Sequence, residues 1–211
     1  MTLESFNIKH RKNPSLVLFE RSKALLNSDH WEGCVTNVIA KFPEIDSFLE
    51  IGCGGGMLPT AFSKRGVFAT GFDVLDEAIS WGKKNGQKVE FGVAWNLPVT
   101  YKFYLSYSHH VLEHIPSDYT EATLHEMDRV TSKYITMVLP VAKEEDELFV
   151  DSSQEANRLK RGGGHFINQT RLWWEDKFNV CLPDWEFFEM EKIVAPWETI
   201  ETHHNFFLRR K

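Results

Sequence analysis

Cysteine is scarce. Cys34, Cys53 and Cys181 are the three in 211 residues, odd in number and far apart. That excludes a disulfide framework and a Cys-based zinc site, and it makes a reducing, cytoplasmic setting the default. Long apolar runs are also missing: none approaches the roughly 20 residues that cross a bilayer, so no membrane partner is expected. The polar opening Met1–Lys12 has no apolar stretch of the kind a secretory signal carries. Positive charge is in short supply, with 24 Lys and Arg against 30 Asp and Glu and a formal charge of −6. Counterion release would not draw such a chain onto nucleic acid. The basic clusters Lys9–Lys12, Arg158–Arg161 and Arg209–Lys211 are short and read as solvated faces or tails. There is no internal repeat and no low-complexity stretch, which excludes solenoids and linkers.

What is present is a globular mixture, 42% hydrophobic and 26% charged. The length suits one domain, with an N-terminal extension over residues 1–46 and a lid-like insertion over about 141–169. In the extension, Leu16, Phe19, Ala24 and Leu25 form one helical stripe, and Val35, Val38, Ile39 and Phe42 form another that Pro43 stops. From Ser47 the pattern changes. Strands are predicted over Ser47–Ile51, Val67–Phe72 (ending at Asp73), Val89–Phe91, Phe103–Ser108 and Lys133–Leu139. Helices are predicted over Met57–Lys64, Glu77–Lys84 and Asp118–Val130, the last capped by Ser117. This alternation implies a doubly wound, mostly parallel Rossmann-like sheet with helices on both faces. Val141–Gln169 is long and irregular, a lid or a disordered segment. Thr170 caps a helix over Arg171–Phe178, and Trp185–Val194 with His203–Arg209 reads as an antiparallel hairpin at one sheet edge, turning through Ala195–Glu201.

The run Phe48-Leu49-Glu50-Ile51-Gly52-Cys53-Gly54-Gly55-Gly56 leaves the first strand and opens a helix. Glycine there lets bare backbone approach a ligand. A phosphate loop of the Walker type needs a Gly-Lys-Ser/Thr ending, which is absent. A dinucleotide fingerprint needs a small residue where Met57 or Pro59 stands. What remains is Glu-x-Gly-x-Gly-x-Gly, written by Glu50, Gly52, Gly54 and Gly56.

With this motif the sequence resembles the class I S-adenosylmethionine-dependent methyltransferases, closest to their small-molecule, sugar and quinone-type branch. Gly92-Val93-Ala94-Trp95-Asn96-Leu97-Pro98, Ser108-His109-His110-Val111-Leu112-Glu113-His114-Ile115, Glu126-Met127-Asp128-Arg129-Val130 and Gly164-His165-Phe166 extend the likeness over about Ser47–Phe178. The resemblance implies an enzyme using S-adenosylmethionine and leaving S-adenosylhomocysteine, on a seven-stranded sheet. An acidic Glu50 suits a ligand bearing an ammonium and a sulfonium, and Gly52, Cys53, Gly54 and Gly56 would lie against its methionine part. Asp73, 21 positions after Gly52 (73 − 52), would accept two hydrogen bonds from ribose hydroxyls, with Val74 beside it. Val93 stands where relatives carry an Asp for adenine, so adenine would rest on apolar contacts and on backbone near Ala94 and Trp95. Ser108 completes the cofactor set.

The reaction implied is in-line transfer to an oxygen, or a nitrogen, of a small molecule or sugar, with the 1–46 extension capping the acceptor site. His109 and His165 are the candidate bases. Glu113 and His114 read as a loop-fixing pair, and His203–His204 as structural. His110 and His114, four apart with Glu113 between them, would share a face on a helix and offer a metal site, a reading that Pro116 disfavours but leaves open, and no metal is assigned. One of Trp173 and Trp174 would pack in the core and the other floor an acceptor pocket. The Asn-Pro-Pro-Tyr/Phe and Pro-Cys motifs of DNA methylation are absent, against a nucleic-acid acceptor. A catalytically silent binding domain, acting as a regulatory or scaffold partner, is the competing reading. Nicotinamide-dependent oxidoreduction is disfavoured by Met57.

Overall fold

A computed structural model describes residues 30–142, 148–150, 165–188 and 203–211. The strands are β1 (Ser47–Ile51), β2 (Phe68–Asp73), β3 (Val89–Phe91), β4 (Phe103–His109), β5 (Thr131–Pro140), β6 (Phe149–Val150), β7 (Ile167–Asn168), β8 (Trp185–Phe187) and β9 (His203–Arg210). The helices are α1 (His30–Lys41), α2 (Met57–Lys64), α3 (Asp76–Lys84), α4 (Thr120–Val130) and α5 (Arg171–Cys181). Seven strands form one sheet in the order β3-β2-β1-β4-β5-β9-β8. The pairs from β3 to β5 are parallel, whereas β5–β9 and β9–β8 are antiparallel. This is the doubly wound sheet with an antiparallel C-terminal edge that the sequence predicts.

Burial on both faces explains why β1 after Ser47 is an apolar run broken only by Glu50. Successive side chains on a strand point to opposite faces, so they enter different cores. Phe48 joins Val35, Val38, Phe42 and Phe62 under α1 and α2, and its ring stacks on Phe62 at 3.9 Å. Leu49 and Ile51 join Leu112, Leu124, Met127, Trp174 and Phe178 under α4 and α5. On β9, Phe207 belongs to the first layer, and Phe206 and Leu208 to the second. The order of strands reverses between β1 and β4, and ligands of open α/β sheets lie beyond the carboxyl ends at such a switch point. Ile51 and Ser108 stand side by side there.

Three local expectations change. Ser117 does not cap α4. Pro116 starts a tight 3-10 turn over Ser117–Tyr119, and α4 begins after Tyr119 without a side-chain cap. The expected edge hairpin has β9 inside, paired to β5 on one side and β8 on the other, because β9 carries the apolar residues for both layers. Of Trp185–Val194, β8 covers Trp185–Phe187, and the turn Ala195–Glu201 lies outside the described residues. The stripe from Leu16 to Leu25 and most of the 141–169 insertion, with both its charge runs, also lie outside them. The insertion's two ends meet: β6 pairs with β7, and the Ala142 amide donates to Gln169 at 3.0 Å. Thr170 caps α5 as expected, accepting from the Trp173 amide at 3.2 Å. Among the described residues no helix is long and apolar enough to cross a membrane.

The C-terminal strand is tied down by Arg210. Its guanidinium donates to the Asp128 carboxylate at 2.8 Å, the Asp128 carbonyl at 3.0 Å and the Thr131 carbonyl at 2.7 Å, and it lies 4.4 Å over the Trp185 ring. Trp185 donates to the same carboxylate at 2.7 Å. Replacing Arg210 by alanine is expected to lower unfolding free energy by about 1–3 kcal/mol, the scale of hydrogen bonds to charged groups. Urea denaturation measures this, and an unshifted midpoint would remove Arg210 from the account.

Candidate active site

The glycine loop turns sharply off β1. Gly52, Gly54 and Gly56 have φ of +74°, +54° and +78°, the left-handed region that glycine enters without strain. Two of these positions also serve packing. A Cβ at Gly52 would strike the Val111 side chain, and one at Gly56 would lie 2.8 Å from the Lys88 carbonyl oxygen. The loop is pinned from β2: the Gly52 and Cys53 amides donate to the Phe72 carbonyl at 2.8 and 3.1 Å.

Asp73 sits across from the loop at the end of β2. One carboxylate oxygen accepts from the Gly54 amide at 2.7 Å and the other from the Leu75 amide at 2.8 Å. Burial raises its pKa, and these amides oppose the shift. Glu50, one residue inside β1, is buried, and its Oε2 has no hydrogen-bond partner. Burial first, and then the Asp73 charge, push Glu50 up to about 8. The Cys53 thiol is raised by the same burial and by both carboxylates, so it is inert as a nucleophile near neutrality. A buried carboxylate and a half-buried one beside half-buried glycine backbone make a surface suited to a cation, whose charge would compensate what burial makes costly. Ser108, at the matching end of β4, is fully buried, and its hydroxyl likewise lacks a partner.

The segment after β3 is held by α4. The Leu97 amide donates to Glu126 at 2.6 Å, while Arg129 donates to the carbonyls of Val99 at 2.8 Å and Leu97 at 3.2 Å. Arg129 also donates to Glu126 at 2.7 Å. Burial raises the Glu126 pKa, but the Arg129 and Leu97 donors outweigh it and hold the carboxyl below its ordinary range. Val93 and Ala94 are buried, and the Trp95 ring stacks on Tyr119 at 4.4 Å.

Beyond β4 the chain turns at His110, whose φ of +54° makes it the one left-handed non-glycine among the described residues. A 3-10 turn over Leu112–His114 follows, so His110 and His114 do not share a helical face. His110 Nδ1 lies 2.9 Å from Glu113, and the His114 ring stands edge-on to His165 at 4.8 Å. Glu113 is fully buried. Burial raises its pKa, but the His110 hydrogen bond and the imidazoles of His114, His110 and His165 outweigh this and hold it at about 2. His109 ends β4, 4.6 Å from the His110 ring. His165, expected in a lid, is locked onto this turn, because the adjacent Phe166 amide donates to the Glu113 carbonyl at 2.7 Å. Sequence reasoning missed that meeting: the signal was the Gly-His-Phe stretch, but its partner lies some fifty residues upstream. Trp174 is wholly buried, and Trp173 is half-buried with Lys177 5.6 Å over its ring. The side chains of His203 and His204 lie outside what the structure describes.

With a folded-state pKa near 8 and an unfolded value near 4.5, Glu50 keeps a proton in the fold that the unfolded chain gives up between those limits. Its contribution to stability therefore falls as pH rises across that window. Glu50→Gln should melt higher than the wild-type chain at about pH 8.5, with the gap closing towards about pH 5. A gap that stays constant with pH would show that Glu50 is not strained in this way.

Residues 49–134 match the model of a family described as a methyltransferase domain. No curated protein matches the chain. Solved structures share its fold. A TehB-like S-adenosylmethionine-dependent methyltransferase of Corynebacterium glutamicum is 16% identical with a TM-score of 0.66, over 93% of this chain and 98% of that one. A possible histamine N-methyltransferase of Thermotoga maritima is 15% identical with a TM-score of 0.60, over 94% and 98%. The magnesium protoporphyrin IX methyltransferase of Synechocystis, solved with S-adenosylmethionine, is 10% identical with a TM-score of 0.59, over 92% and 84%. The matched segment carries the glycine loop, Glu50, Asp73 and the turn after β4, and it stands on a fold that the chain shares with solved S-adenosylmethionine-dependent methyltransferases.

Proposed function

We propose that this chain is an S-adenosylmethionine-dependent methyltransferase that acts on an oxygen, or a nitrogen, of a small molecule or sugar in a reducing cytoplasm. The observation that carries the cofactor site is the pair of buried Glu50 and half-buried Asp73 against the glycine loop, with Glu50 Oε2 and the Ser108 hydroxyl lacking protein partners. S-adenosylmethionine, when bound, supplies an already activated methyl group. Glu50 would face its ammonium and sulfonium charges, with Gly52, Cys53, Gly54 and Gly56 along its methionine part. Each Asp73 oxygen accepts one amide hydrogen and keeps a lone pair for a ribose hydroxyl. Val74 lies beside that contact. Ala94 and Trp95 would border adenine, on a segment that Glu126 and Arg129 hold still.

Positioning does most of the work in such a displacement, and a base removes the acceptor's proton. His109, at the carboxyl end of β4 beside the switch point, is the residue to which we assign that step. His165 is the other histidine near this end, next to His114. A small acceptor accords with the formal charge of −6, which opposes a polyanion. Two structural relatives are named for small acceptors, magnesium protoporphyrin IX and, as a possible one, histamine.

Calorimetric titration should show S-adenosylhomocysteine binding in the micromolar range, and silence at millimolar ligand would eliminate the reading. Asp73→Ala is expected to weaken that binding by about 1–3 kcal/mol. Transfer of radiolabelled methyl to sugar, phenol and polyamine pools should identify the acceptor class. His109→Ala should slow turnover while leaving cofactor affinity intact, and unchanged turnover would retire His109 as the base. Binding without transfer to any pool would favour the silent-domain reading.

A further inference from the structure

We propose that Glu113, His114 and His165 form a binding site for a divalent transition-metal ion. One ligand atom from each lies within 4.8 Å of the others. Metal bonds of about 2.0–2.2 Å place two ligand atoms at most about 4.4 Å apart, so small side-chain rotations close the cluster.

The second observation is the state of Glu113. It is fully buried, one carboxylate oxygen meets His110 Nδ1 at 2.9 Å, and the other, Oε2, has no hydrogen-bond partner. A buried ionised carboxylate with an unpaired oxygen is costly unless a cation faces it. The His114 and His165 rings meet edge-on beside it, with centroids 4.8 Å apart, and a single divalent ion held between them would face that oxygen.

The backbone prepares the site. The Phe166 amide bonds to the Glu113 carbonyl at 2.7 Å and fixes His165 beside the turn that carries the other two ligands. His110 orients the carboxylate from behind, as outer-shell partners do. Two imidazoles and one carboxylate favour zinc, manganese, iron(II), cobalt or nickel over magnesium and calcium, which prefer all-oxygen sites. Three protein ligands leave coordination positions for water or an acceptor oxygen. His165 as a ligand is then unavailable as a base, leaving proton removal to His109.

The test uses the purified full chain, stripped with EDTA and titrated with zinc, manganese and magnesium by calorimetry, with bound metal counted by elemental analysis. One zinc or manganese ion per chain is expected, with magnesium at least 100-fold weaker. His165→Gln and His114→Gln should each weaken zinc by tenfold or more, while the exposed control His125→Ala leaves it unchanged. Cobalt substitution gives a readout that a structural role would not move: a visible absorption band from bound cobalt that His165→Gln shifts or abolishes. Should Glu113→Gln fail to fold, the two histidine variants and the cobalt band decide. No retained ion, equal zinc affinity in wild type and both Gln variants, or magnesium as the preferred ion overturns the proposal. None of these measurements reads methyl transfer, so their failure leaves the S-adenosylhomocysteine titration standing on its own.

Discussion

One carboxylate organises the candidate site. Asp73 accepts the Gly54 amide with one oxygen and the Leu75 amide with the other, so it holds the glycine loop of β1 and the start of α3 together. Its charge in turn raises Glu50, which is already penalised by burial. The site therefore holds unfavourable electrostatics beside the glycine loop, a cost that a cationic ligand would relieve.

The rest of the fold serves to hold those groups at one place. Gly52 must lack a side chain because Val111 lies against it, and Gly56 because the Lys88 carbonyl does. The loop after β1 is thus shaped by its neighbours as much as by any ligand. On the other side, Glu126 and Arg129 clamp the Leu97–Val99 backbone from α4, a few residues beyond Ala94 and Trp95. Val93 and Ala94 are both buried, which makes that end of the sheet apolar.

A second electrostatic centre lies at the turn after β4. His110 takes a left-handed conformation, and Glu113 is buried among three imidazoles. The His110 hydrogen bond and the neighbouring imidazoles hold that carboxyl below its ordinary range against the cost of its burial. The two centres flank the switch point between β1 and β4, with Ser108 and His109 between them.

Elements whose evidence is local were legible in the sequence. The β1–loop–α2 unit shows itself through an apolar run, clustered glycines and helical spacing within a few residues, and Met57–Lys64 and Val89–Phe91 have the predicted bounds. Thr170 as a cap is equally local, whereas Ser117 failed because Pro116 set a 3-10 turn first. The match of Glu50 and Asp73 follows from a spacing that a parallel sheet converts into proximity. Contacts between distant segments had no such signature. That β9 lies inside the sheet, that Arg210 binds Asp128, and that His165 meets His114 and Glu113 are consequences of long-range packing. The sequence by itself determined the alternation of elements and the chemistry of the first loop, because hydrophobic period and glycine act over a few residues. Only the tertiary structure decided which histidines and carboxylates share a space, because that depends on how two cores bring remote turns to one end of the sheet.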